Sequence, residues 1–177
     1  GLTALTLSLA ACGSLSWFST DKKLAPLPAV SGSATVSTPW QSALGGKQTS
    51  SLIPAVANGR VYVAHPSGAL LVIDEKSGAV VNRFQVPVGK GLVSGGVAVS
   101  ADLIVVGTNK AEVVALDMNG GVVWTSKATS EIIAPAAIAD NAVIILGGDG
   151  AITALDPKTG VRKWTVLRQL PALTVRS

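Results

Sequence analysis

The chain has 177 residues, 48% of them hydrophobic and 14% charged, with a formal net charge of +4. A single cysteine excludes an internal disulfide framework, and a single histidine leaves no His/Cys set for a metal site. Basic residues are scattered, pairing only at Lys22-Lys23 and Arg162-Lys163, so no stripe follows a phosphate backbone and no nucleic-acid partner is expected.

Residues 1–11 read GLTALTLSLAA, an uncharged apolar run ending in small side chains. It falls well short of the roughly 20 apolar residues that span a bilayer, so it reads as the hydrophobic part of an export signal. With no basic start and no initiator Met, the chain is expected to begin inside that signal. Leu9-Ala10-Ala11-Cys12 resembles a bacterial lipobox, in which the cysteine thiol takes a diacylglycerol and the new amino terminus is acylated, anchoring the protein to a membrane. Gly13 follows, not the Asp associated with inner-membrane retention, which favours an outer-membrane destination. Residues 12–38 are rich in Ser, Ala, Gly and Pro, a composition that builds no core and suits a tether.

From residue 39 to residue 177 the sequence repeats. Asp74, Asp117 and Asp156 each close an alternating apolar run, at spacings of 43 and 39 residues. Behind each comes a turn with a glycine (Gly78, Gly120, Gly160) and a second strand in which Asn82, Trp124 and Trp164 occupy one repeat position. Upstream lies another hairpin, clearest in Ala55 to Val63, where Asn58-Gly59 is a turn signal. Four short antiparallel strands at a period of about 40 residues describe a β-propeller blade. The expected fold is all-β, with about three blades of a larger ring. Trp40, 42 residues before Asn82, predicts the outer strand of a preceding blade whose remaining strands come from elsewhere in a closed ring.

The candidate chemical groups reduce to structural ones. The repeating aspartates suit turn capping, since a carboxylate beginning a turn accepts backbone N–H bonds. His65, between a strand and a turn, lacks partners for a metal or catalytic site. Gly89-Lys90-Gly91 and Gly147-Gly148-Asp149-Gly150 lack a phosphate loop's full pattern and read as β turns. Trp124 and Trp164 read as packing between blades. No catalytic residue, cofactor or metal is expected.

Together, Leu9-Ala10-Ala11-Cys12, Leu27-Pro28, Pro39-Trp40, the segments 97–100, 109–116 and 160–166, and the closing Leu170-Pro171-Ala172-Leu173-Thr174-Val175-Arg176 make the chain resemble the BamB family. These are the lipoproteins of the bacterial outer-membrane β-barrel assembly machinery. The resemblance implies an eight-bladed PQQ-like propeller, anchored by acylated Cys12 at the periplasmic face of the outer membrane. It also implies a non-catalytic scaffold that binds the POTRA region of BamA within the Bam complex and assists unfolded outer-membrane protein clients. A family loop of pattern Leu-x-Leu-Arg maps to Leu173, Val175 and Arg176, with Val175 in place of the second leucine. The residues alone leave another reading, in which Leu173 and Val175 face a blade core. Two other functions remain as alternatives: a periplasmic quinoprotein oxidoreductase, which shares this blade construction, and a structural envelope lipoprotein.

Overall fold

A computed structural model of the chain describes residues 37–43 and 52–167, and these contain strands and turns but no helix. The strands are β1 (Ala55–Ala57), β2 (Arg60–Ala64), β3 (Ala69–Asp74), β4 (Val80–Gln85), β5 (Val93–Val99), β6 (Ile104–Thr108), β7 (Glu112–Leu116), β8 (Val122–Lys127), β9 (Ala137–Ala139), β10 (Ala142–Leu146), β11 (Ala151–Leu155) and β12 (Arg162–Leu167). They form three four-stranded antiparallel meanders, β1 to β4, β5 to β8 and β9 to β12. These are three blades of a β-propeller, as the periodicity predicts. The first strands of successive sheets adjoin, β1 beside β5 and β5 beside β9, as strands around a common axis do.

Local sequence sets each meander. Asn58 and Gly59 adopt φ of 53° and 68°, the two positive values that a type I′ hairpin needs to join β1 and β2 in register. In every sheet the third-to-fourth strand ladder shifts at the same place: between Val72 and Ile73, between Ala115 and Leu116, and between Ala154 and Leu155. The unpaired extra residues are Val81, Val123 and Lys163, each directly before the repeat position Asn82, Trp124 or Trp164. A bulge bends its strand and re-aims the side chain that follows, and here it sits beside the aromatic rings of Trp124 and Trp164. The outer strands run about three residues beyond Asn82, Trp124 and Trp164, farther than the repeat motif alone marks.

Burial explains why the middle strands read as continuous apolar runs. All of β6 is buried, because the second sheet is covered on both faces. Ile104, Val106, Val114 and Leu116 join a cluster with Tyr62, Leu70 and Val72 of the first sheet. Val105, Val113 and Ala115 point the other way, into a cluster with Val143, Ile145 and Leu155 of the third. Each buried valine, leucine or isoleucine contributes on the order of 1.5–3 kcal/mol by leaving water, so the sheets are held face to face mainly by these two layers.

Candidate functional site

Each repeat aspartate organises the turn that follows it. Asp74 Oδ1 accepts from the N–H groups of Lys76 (3.2 Å) and Ser77 (3.0 Å) and from the Ser77 hydroxyl (2.9 Å). Asp156 Oδ1 accepts from Lys158 N–H (3.0 Å), Thr159 N–H (3.1 Å) and the Thr159 hydroxyl (3.1 Å). Asp117, whose turn is one residue shorter, accepts from Asn119 and Gly121 N–H, both at 2.8 Å. The Ser77 N–H and hydroxyl, with the Arg60 guanidinium, hold the Asp74 carboxyl below the ordinary aspartate range. Lys158 N–H does the same for Asp156, helped by Thr159 and Lys163. One oxygen of each carboxylate serves its own turn, and the second oxygens of Asp74 and Asp156 pair with Arg60 and Lys163 on neighbouring strands.

The turn glycines are seats for aromatic rings. A Cβ added to Gly160 would lie 2.6 Å from the Trp124 ring, and one added to Gly78 would lie 2.6 Å from the Trp40 ring. Each indole also donates to the carbonyl just past the repeat aspartate, Trp124 Nε1 to Pro157 O at 2.8 Å and Trp40 Nε1 to Glu75 O at 2.9 Å. Between the first and second sheets Asn82 offers no ring. Phe84, two residues along the same face of β4, takes its place, and a Cβ on Gly120 would lie 2.3 Å from it. Residues 37–43 form no ladder with a described strand, so the strand predicted around Trp40 is not seen there, although Trp40 keeps its seat. A strand assignment needs a paired neighbour, whereas the seat needs only Gly78.

A second contact lay outside the repeat motif. The link between β8 and β9 carries Ile132, 1% exposed, whose side chain fills the space above two glycines: a Cβ would lie 2.4 Å from it at Gly107 and 2.6 Å at Gly95. The Ser94 hydroxyl donates to Ile132 O at 2.7 Å. Glycine inside an otherwise apolar strand was the available signal for this close approach. His65 is a turn group, its Nδ1 facing the Ser67 hydroxyl at 2.8 Å and the Ser67 N–H at 3.2 Å. Among the described residues no cluster of three or more His, Cys, Asp or Glu could hold a metal ion.

The third sheet presents a broad apolar face. Its cross-strand row Ile144, Ala154 and Trp164 repeats the row Val105, Ala115 and Trp124 of the second sheet. Trp124 is 6% exposed and Trp164 47%, because the third sheet covers the one and no described residue seats the other. Val166 and Leu146 extend this exposed face. The lipid-anchor candidate Cys12 and the partner-loop candidates Leu173, Val175 and Arg176 lie outside the described residues.

The sequence and the fold both find counterparts among known proteins. The family model described as outer membrane protein assembly factor BamB matches residues 82–177. The chain belongs to the BamB family. BamB of Nitrosomonas eutropha is 33% identical over 78% of this chain and 33% of its own length. BamB of Bordetella pertussis is 30% identical over 100% of this chain and 46% of its own. The chain therefore spans about a third to just under half of these relatives. The crystal structure of BamB from Moraxella catarrhalis matches with a TM-score of 0.58 and 25% identity, over 66% of this chain and 35% of that one. A quinohemoprotein alcohol dehydrogenase from Comamonas testosteroni matches with a TM-score of 0.55 and 26% identity, over 68% of this chain and 21% of that one. The BamB relatives are named as assembly factors, and the blade construction is shared with the dehydrogenase.

Proposed function

We propose that this chain is the anchor-bearing and early-blade part of a non-enzymatic scaffold that assists assembly of outer-membrane proteins within the Bam complex. The observation that carries the reading is the BamB family match over residues 82–177, on three sheets built as propeller blades. In this reading acylated Cys12 ties the protein to the periplasmic face of the outer membrane, and residues 12–38 span the gap to the blades. Leu173 and Val175 bury in a shallow surface of the BamA POTRA region while Arg176 donates to its polar rim. The engagement of the repeat aspartates and His65 in their own turns supports a scaffold over a catalyst.

The test is affinity for the isolated BamA POTRA region, measured with the full-length protein and its Leu173→Asp and Arg176→Glu variants. A loss of about tenfold or more in variants that keep the wild-type circular dichroism supports the loop, since an interface anchor costs on the order of 2 kcal/mol. Unchanged binding by folded variants rejects it. The likeness to the Comamonas enzyme supports one other reading, a quinoprotein oxidoreductase. Quinone cofactor absorbance in the purified full-length protein would favour it.

A further inference from the structure

The junctions between sheets repeat most of their chemistry, so a feature present at one and missing from the other points to a task besides holding sheets together. Between the second and third sheets a groove of about 300 Å³ opens beside the turn that follows Asp156. One wall is the β5–β6 turn with Asp102, and the other is the β9–β10 turn with Asp140 together with Pro157 and Lys158. The floor is apolar, with Leu103 at 6% exposure beside Ile138. Both walls are fixed from within. The Ser100 hydroxyl donates to Asp102 Oδ1 at 3.2 Å and accepts Leu103 N–H at 3.2 Å, and the Pro157 carbonyl is held by the Trp124 indole at 2.8 Å.

Asp102 and Asp140 form no ion pair among the described residues. The neighbouring Lys163 ammonium is engaged with Asp156 at 3.5 Å and with Asn141 O. Lys158 leaves the rim with two negative charges to one positive. At the corresponding place between the first and second sheets, Asp102 is matched with the neutral pair Asn58-Gly59, and Met118 stands where Pro157 does. The carboxylate pair is a departure from the repeat.

We propose that this groove receives an arginine side chain presented by a segment of a partner protein. The apolar floor suits the methylene stem, and the two carboxylates suit a planar head with five donors, which sheds water more readily than an ammonium group does. Lys158 meets a carbonyl or carboxylate of the same segment. The proposal uses none of residues 173–176 and stands apart from the loop assigned above.

The probe is the capped tripeptide acetyl-Gly-Arg-Gly-amide, titrated into the 15N-labelled full chain, with the citrulline tripeptide as its uncharged isostere. Saturable shifts at the amides of Asp102, Leu103 and Asp140 are expected with the arginine peptide and not with citrulline. In the Asp102→Asn/Asp140→Asn double variant the Kd rises by about tenfold or more, the effect of removing a charge-assisted hydrogen bond. The absence of saturable shifts, equal shifts with citrulline, or undiminished affinity in a double variant with a wild-type spectrum overturns the proposal. A salt titration on the unsubstituted chain needs no variant at all: binding that is indifferent to added NaCl also overturns it.

Discussion

The Trp124 ring rests on Gly160 of the following sheet, close enough that a methyl group at Gly160 would sit 2.6 Å from the indole. Gly160 also has φ of +68°, a conformation that L side chains seldom adopt. Gly59 has the same φ of +68° with nothing within 4 Å of an added Cβ. Gly59→Ala is therefore expected to cost about 1–2 kcal/mol from backbone strain alone. Gly160→Ala adds about 1–3 kcal/mol of overpacking to the same strain. Urea denaturation of both variants isolates the ring contact. Equal losses would show that the seat is not a tight one.

The indole N–H is a separate contribution. Trp124→Phe keeps most of the ring area and removes the bond to Pro157 O, which leaves a carbonyl to find another donor. A loss of about 0.5–1.5 kcal/mol is expected, against about 3–5 kcal/mol for Trp124→Ala. The junction seated by Phe84 already lacks such a bond. Hydrogen exchange should therefore show the amides of β4 opening more readily than those of β8.

The four-strand repeat, the Asn58-Gly59 hairpin and the capping aspartates were legible in the sequence because each rests on local chemistry recurring at one period. The substitution of Phe84 for the ring missing at Asn82 was not, since a two-residue slide along one face keeps the packing while breaking the motif. Ile132 escaped for a different reason. Its partners, Gly95 and Gly107, lie on other strands, and only the fold brings them together. The groove pairing Asp102 with Asp140 is likewise a product of blade packing, not of spacing within one turn.

Ala111 stands where the repeat otherwise places glycine. Its φ of 60° matches the positive φ of Gly68 (91°) and Gly150 (81°) in the corresponding β2–β3 and β10–β11 turns. A left-handed alanine costs about 1–2 kcal/mol, and a glycine there would return about 0.4–1 kcal/mol of that to the freedom of the unfolded chain. Ala111→Gly is thus expected to stabilise by about 0.5–1 kcal/mol. A lowered denaturation midpoint would mean that the methyl group packs well enough to offset the strain.

Acid sensitivity follows from the turn caps. Backbone N–H bonds from Ser77, Lys158 and Ala151 lower Asp74, Asp156 and Asp149 respectively in the folded chain. The unfolded chain therefore takes up these protons first. The contribution to stability is complete above the ordinary aspartate range and is lost as pH falls through that range towards the lowered folded values. Asp74→Asn/Asp156→Asn, which retains an oxygen for the turn bonds, should flatten the acid side of a plot of urea midpoint against pH. An unchanged slope would place the acid response in other carboxylates.

The open face of the third sheet makes a prediction that separates it from ordinary surface apolarity. Val166 (57% exposed) lies on the face shared with Trp164 and Leu146, whereas Val122 (52% exposed) begins the outer strand of the covered second sheet. A broad contiguous apolar face drives association, while the short exposed pair Val122-Val123 does not. Val166→Lys is expected to lower the apparent mass of the 177-residue chain at high concentration in sedimentation velocity, and Val122→Lys to leave it unchanged. Both should stay within about 0.5 kcal/mol of the parent in stability, since each replaces an exposed side chain. An equal drop for the two variants would trace the association to general surface charge, and the blade-like row Ile144, Ala154 and Trp164 would then lose its standing as a docking face.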